Sequence, residues 1–247
     1  MSEASQSGEV NIIVEKIWMQ ETAVAASGAM VEFKSLVDTT IERGENNTGS
    51  FIVGAPNSVL EIGEDGEDAS AITFDGNREY IEANNLSSDA VISSTGAGFV
   101  LNDNIIIKNN VNNASGYGGA ISLVFPYESQ KSAEDLNAID LSHATEIENC
   151  KSTKDGGGVY IGGKFELLNE VIHFNISNCS SGGNGGGLCI DDEYKPEVSQ
   201  LNASLSTKFG TEKTTMPTAW EPVPTYYGYQ LVGYYEGTRS EQNGGGL

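Results

Sequence analysis

Short runs of Val, Ile, Phe and Leu, many alternating with polar residues, recur along the chain between clusters of Gly, Asn, Ser and Thr. Period-two alternation marks a half-buried strand, and the clusters between the runs are turn formers. Few windows sustain a 3.6-residue period, so the pattern predicts an all-β protein. Strands are expected at 10–14, 29–33, 39–41, 51–53, 59–62, 71–74, 90–93, 99–101, 105–107 and 120–125. They continue at 139–141, 145–147, 159–161, 165–168, 172–176 and 188–190. Residues 17–26 read either as a strand or as a short cap, and 126–136 as a longer excursion.

The runs repeat one another. IENCKSTKDGGGVYI (147–161) returns position for position as ISNCSSGGNGGGLCI (176–190), and TIERG (40–44), TFDGN (73–77) and IIKNN (106–110) are looser copies. Anchoring on the central apolar residue gives Ile41, Phe74, Ile107, Ile147 and Ile176, spaced by 33, 33, 40 and 29 residues. Two residues before the anchors stand Thr39, Ile72, Ile105, Thr145 and Phe174. Three residues after them stand Gly44, Asn77, Asn110, Cys150 and Cys179. A period of this length, with short strands in each unit, signals a stacked repeat, and the expected fold is a right-handed parallel β-helix over residues 29–190.

In such a stack, neighbouring coils lie about 4.8 Å apart, so like side chains sit above like. The anchors then form an apolar ladder, and Asn77 and Asn110 are expected to stack as an amide ladder. Cys150 and Cys179 share one ladder position, either as stacked buried thiols or as a disulfide, since the coil spacing falls in the bonding range. The triple glycines 156–158 and 185–187 supply positive φ where the chain bends back. Residues 1–28 are expected to form an N-terminal strand or cap over the open end of the stack.

Charge narrows the partners. The 247 residues carry 13 basic and 35 acidic side chains, a formal net charge of −22. Nucleic acid needs a basic patch to displace its counterions, and none is present. Anionic membranes and polyuronates are disfavoured by the same repulsion. No apolar run is long enough to span a bilayer or serve as a signal peptide, so no membrane insertion is expected within this stretch. The repeat is already running near residue 29 and the chain stops abruptly at Leu247. This suggests a piece of a longer protein whose secretion signal lies outside it. Three cysteines define no disulfide framework.

Phe74-Asp75-Gly76-Asn77 fits an FxxN element and Gly118-Gly119-Ala120-Ile121 fits GGAI, with GGGV (156–159) and GGGL (185–188) as near variants. Together they resemble the repeats of polymorphic outer membrane proteins and related β-helical bacterial surface proteins. The resemblance covers roughly residues 29–190. It implies an extracellular or cell-surface passenger or adhesin that presents a surface to glycan or protein, and it carries no catalytic residues to transfer.

After Asp191 the composition shifts, with four of the six prolines and six of the ten tyrosines beyond that point. PVPTYYGYQLVGYYEG (222–237) is similar to the internalin B-type (Listeria–Bacteroides) repeat, with Leu231 for the usual Phe and Tyr234 for the usual Trp. The resemblance implies a small β-grasp-like module over 191–247. The alternative is a long insertion that leads into a next coil. The tyrosines of 226–235 either stack on a sugar or pack in a small core of their own.

Candidate chemistry is sparse. Polysaccharide hydrolases and lyases share the β-helix fold, and a hydrolase needs carboxylates facing one groove. Asp191 and Asp192, with Asp155 in the equivalent turn one repeat earlier, form the candidate set, against the plainer reading of solvated turns. The three arginines (Arg43, Arg78, Arg239) mark no recognisable lyase site. His143 and His173 fall on adjacent coils and read as satisfied polar residues on a sheet face. Glu64, Asp65, Glu67 and Asp68 crowd one loop, a candidate Ca²⁺ site without the spacing of an EF-hand. No other cofactor is expected. The reading is therefore a non-enzymatic surface segment, with a carbohydrate-active enzyme as the alternative.

Overall fold

A computed structural model of the protein describes residues 16–19, 24–26, 30–56, 58–66, 68–125, 138–163, 165–191 and 230–242. Among these residues the chain is all-β apart from one six-residue helix, and every strand pairing is parallel. Parallel neighbours are never joined by a tight hairpin, so each strand meets its partner only after a whole circuit of chain.

The first circuit contains β1 (Lys16–Met19), β2 (Val24–Ala26) and β3 (Met30–Phe33); the second contains β4 (Thr39–Arg43), β5 (Ile52–Gly54) and β6 (Val59–Ile62). The third runs through β7 (Ile72–Asp75), the helix α1 (Arg78–Ala83), β8 (Ile92–Thr95) and β9 (Gly98–Leu101). The fourth holds β10 (Ile105–Lys108), β11 (Val111–Asn112) and β12 (Ile121–Phe125), and returns along β13 (Ala138–Glu148). Then come β14 (Lys151–Ser152), β15 (Val159–Gly163), β16 (Glu166–Ser177), β17 (Ser180–Ser181) and β18 (Leu188–Asp191). After a segment outside the described residues, β19 (Gln230–Val232), β20 (Tyr235–Glu236) and β21 (Arg239–Ser240) rejoin the same sheets.

Three sheets result. One has two arms, β1-β4-β7-β10 and β3-β6-β9, which merge at β13 because that strand runs on through the bend between them. The second is β2-β5-β8-β12-β15-β18 and the third β11-β14-β17-β21. Pairing is in register, so Ile17, Ile41, Phe74, Ile107, Ile147, Ile176 and Tyr235 form one column. Ile52, Ile92, Ile121, Val159 and Leu188 form a second, and Leu60, Phe99 and Ile139 a third. The side chains from Ile41 to Tyr235 in the first column, and all those of the other two, are buried in one shared core. Each such Ile, Leu or Phe contributes about 1.5–3 kcal/mol by leaving water.

The strand expected at 10–14 and the excursion at 126–136 lie outside the described residues. Residues 17–26 contribute β1 and β2, which pair with β4 and β5 as earlier members of the same columns. The helix has no counterpart among the elements expected from the hydrophobic pattern. It begins after Asn77, whose backbone is left-handed (φ 52°), and it carries an Arg78–Glu82 pair at 3.2 Å on its surface and Ile81 in its buried face. One helical turn with an i,i+4 ion pair is a weak local signal, easily lost among strands. Of the Pro/Tyr-rich stretch, residues 230–240 extend the existing sheets by parallel pairing.

The turn before β12, β15 and β18 shows why glycines recur there. Gly118, Gly156 and Gly185 have φ of 69°, 71° and 60°, a region L-residues avoid. The following glycine meets a different constraint: a Cβ on Gly119 or Gly157 would run into the backbone of Gly157 or Gly186 on the next circuit. The first glycine is there for conformation, the second for close approach.

Candidate functional site

Polar side chains buried beneath the turns hold them closed. Asn112, Ser152 and Ser181 each stand five residues past an anchor (Ile107, Ile147, Ile176), and all are buried. Asn112 Nδ2 donates to the carbonyls of Tyr117 (2.7 Å) and Gly118 (3.0 Å), while its Oδ1 accepts the Gly116 N–H at 2.9 Å. Ser152 Oγ reaches the carbonyls of Lys154 (3.1 Å) and Asp155 (3.4 Å), and Ser181 Oγ those of Gly183 (3.3 Å) and Asn184 (3.1 Å). Alternation of apolar and polar residues does not single out this column; its constant offset from the anchors is the signal that could have found it.

Asn77 and Asn110 do not stack. Asn110 is fully buried; its Nδ2 donates to the carbonyls of Asp89 (3.0 Å) and Gly119 (2.6 Å), and its Oδ1 accepts from Arg43. Gly76, not Asn77, lies against Asn110, and a side chain there would collide with it. The amide contact runs one residue earlier, between left-handed Asn109 and Asn149, and Asn178 repeats their backbone conformation one circuit on (φ 53° each). Asn149 Nδ2 donates to Asn109 Oδ1 at 2.8 Å, and Asn109 Nδ2 to Asp75 Oδ2 at 3.1 Å. IIKNN offers two asparagines, and period two alone assigns the inward one to the wrong role.

Arg43 is the largest surprise. Its side chain is 1% exposed, and all five of its N–H donors are placed. Nε donates to the Gly76 carbonyl (3.1 Å), Nη1 to those of Asn47 (3.0 Å) and Gly49 (2.6 Å), and Nη2 to that of Asp89 (3.3 Å) and to Asn110 Oδ1 (3.0 Å). The Phe51 ring covers the guanidinium at 4.8 Å. Burial pulls the group down to about 10, with the Asp89 charge opposing, so it remains a cation at neutral pH. It ties three circuits together from inside.

The candidate catalytic carboxylates are held locally. Asp155 Oδ1 accepts the backbone N–H of Asn184 at 2.6 Å, and Asp191 Oδ2 accepts the Tyr160 hydroxyl at 3.3 Å. Asp155 precedes β15, whereas Asp191 pairs with Gly162 near that strand's far end, about 10 Å of strand beyond Val159. Asp192 lies outside the described residues. Burial, and then Asp191, push the Tyr160 hydroxyl upward. The Tyr160 ring meets Tyr117 at 4.7 Å between centroids, and Lys154 Nζ sits 4.4 Å from the Tyr117 centroid, so these rings cover one another. At the far end of the chain Tyr235 is a core residue, and Tyr234 donates to Glu146 Oε2 at 3.0 Å.

The acidic loop divides. Glu64, Asp65 and Asp68 are exposed and Glu67 lies outside the described residues. Among the described residues Glu64 and Asp68 belong to no group of three metal-ligating side chains; Asp65 does, with Asp103 and His143. His173, half-buried in β16, pairs with Val232 by its backbone and does not join that group.

Cys150 and Cys179 are free, buried and stacked, with the Cys150 N–H directed at Cys179 Sγ (3.3 Å). Each thiol donates to the carbonyl two residues back, Glu148 at 3.3 Å and Ser177 at 3.4 Å. Burial raises the Cys179 thiol well above its ordinary value, the neighbouring Cys150 adding to the shift. Both sulfurs are buried away from reagent, so both should be slow toward Ellman's reagent in the native protein, with half-buried Cys189 reacting first. Three fast thiols in the absence of denaturant would contradict this arrangement.

No helix among the described residues is long and apolar enough to cross a membrane. Comparison with known protein families, with curated proteins and with solved structures finds no match for the chain. The fold class and its site chemistry therefore rest on the residues themselves.

Proposed function

We propose that the chain is a right-handed parallel β-helix acting as a non-enzymatic segment of a secreted or cell-surface protein. On this reading it is a stalk of adhesin or passenger type that presents a surface to glycan or protein. The observation that carries the reading is the repeated return of the chain to the same sheet positions, by parallel pairing in register, circuit after circuit. Such a stack is rigid and elongates by simple addition, which suits a spacer that holds a binding surface outward. The local engagement of Asp155 and Asp191 supports a structural use of these carboxylates over hydrolysis.

The test is a glycan-array screen with the whole chain, paired with reducing-end release on the same polysaccharides, with and without Ca²⁺. Binding without release is the expected result. Release that disappears in an Asp191→Asn, Asp192→Asn double variant would replace the reading with a polysaccharide hydrolase or lyase.

A further inference from the structure

We infer that Asp65, Asp103 and His143 form a binding site for one divalent transition-metal ion of the zinc class. The residues come from three successive circuits, at the bend where one arm of the first sheet passes into the other. Asp65 follows β6, Asp103 follows β9, and His143 lies in the bulged bend of β13. They are 38 and 40 residues apart in sequence, near the repeat period, and only stacking brings them together.

The geometry is that of a ligand set. His143 Nδ1 lies 3.3 Å from Asp103 Oδ1 and 3.8 Å from Asp65 Oδ1, and the three donor atoms fall within 4.8 Å of one another. A four-coordinate ion with bonds of about 2.1 Å sets its ligand atoms about 3.4 Å apart, so small side-chain adjustments suffice. The Asp103 carboxylate is fixed in orientation, because its Oδ2 accepts the Gly66 N–H at 3.1 Å and leaves Oδ1 toward the imidazole. That bond also ties the Asp65 loop to the next circuit. An outer hydrogen bond of this kind is what orients a metal-binding carboxylate.

Charge and donor type select the ion. Two carboxylates face one imidazole, so even a protonated ring leaves a negative charge uncompensated, whereas a dication with a neutral ring balances both. A third carboxylate, Asp140, adds to the field at His143, but its own oxygens accept from Ser142 (Oγ, 2.6 Å) and Asn169 (Nδ2, 2.7 Å). Calcium takes six to eight oxygen ligands, and an imidazole nitrogen in a three-residue set disfavours it. One nitrogen and two oxygens suit zinc or its neighbours, with water completing the shell. Asp65 is 77% exposed, so ion and water have access.

Isothermal titration of the full chain with zinc and with calcium tests the site. Zinc should bind reversibly, one ion per chain, and Asp65→Asn and His143→Ala should each weaken it at least about tenfold. Asp65→Asn changes an exposed side chain and leaves folding intact, so its effect is attributable to the site. Absence of saturable one-to-one zinc binding would overturn the inference. So would calcium binding more tightly than zinc, or zinc affinity unchanged in both variants and lost in Cys189→Ser.

Discussion

Replacing Arg43 by methionine should lower the unfolding free energy by about 3–5 kcal/mol, because several buried acceptors lose a donor at once. Methionine fills much of the space but donates nothing. The carbonyls of Gly76, Asn47, Gly49 and Asp89 and the Oδ1 of Asn110 then lose a donor in the interior. An orphaned buried acceptor costs about 1–3 kcal/mol, and the Asp89 carbonyl keeps its bond from Asn110 Nδ2, so the sum stays below five times that. Arg43→Lys should recover little, because three donors on a single nitrogen do not span acceptors contributed by three circuits. Urea denaturation of the two variants measures this. A lysine variant as stable as the wild type would show that charge alone matters at this position and that the fork geometry does not.

Gly157→Ala should cost about 3 kcal/mol or more, at or beyond the upper end of what overpacking exacts, because the obstruction is backbone and not a movable side chain. Its Cβ would enter the carbonyl of Gly186 and press on Ser180 of the following circuit. Relief requires separating two circuits that are hydrogen-bonded by Gly157 N–H to the Gly185 carbonyl at 2.9 Å. The adjacent Gly158→Ala is the control. Its Cβ would approach Gly187 O at 2.9 Å, and the equivalent position one circuit earlier is already alanine, Ala120, buried and accommodated. The Cβ would also meet Ile176 and Ile147 methyls at 3.2 and 3.3 Å, and a gain of about 0.4–1 kcal/mol from a stiffer unfolded chain offsets part of these contacts, so Gly158→Ala should cost clearly less than Gly157→Ala. Thermal or urea midpoints that rank the two variants equally would refute the close-approach account.

The apolar columns were legible in the sequence because period two and the repeat spacing both point inward at Ile41, Phe74, Ile107, Ile147 and Ile176. Those residues occupy one buried column from circuit to circuit. Arg43 was legible in principle. It follows Thr39 and Ile41 in the same inward parity, but arginine is so rarely buried that its identity outweighs its position. The helix after Asn77 occurs in one circuit among those described, and a pattern drawn from the other circuits does not contain it. The Asp65–Asp103–His143 group was hidden for another reason. The acidic loop reads as a local cluster, whereas its one participating residue meets partners supplied by other circuits. Local crowding of charge says little about convergence in space.

Parallel register also dictates an order of assembly. Ile41 reaches Phe74, and Ile107 reaches Ile147, only across 33 and 40 residues of intervening chain. No hairpin exists among the described strands to start the process, and a growing chain makes its first interstrand bond only after a full lap. Loop closure rises merely with the logarithm of length, so later laps are no harder to close than the first. What changes is the surface they meet, since a finished lap offers a ready edge of unpaired N–H and C=O groups and an apolar floor. The slow event is thus the founding of two laps at once. Extension then proceeds as growth on a template, from either edge of the founding pair.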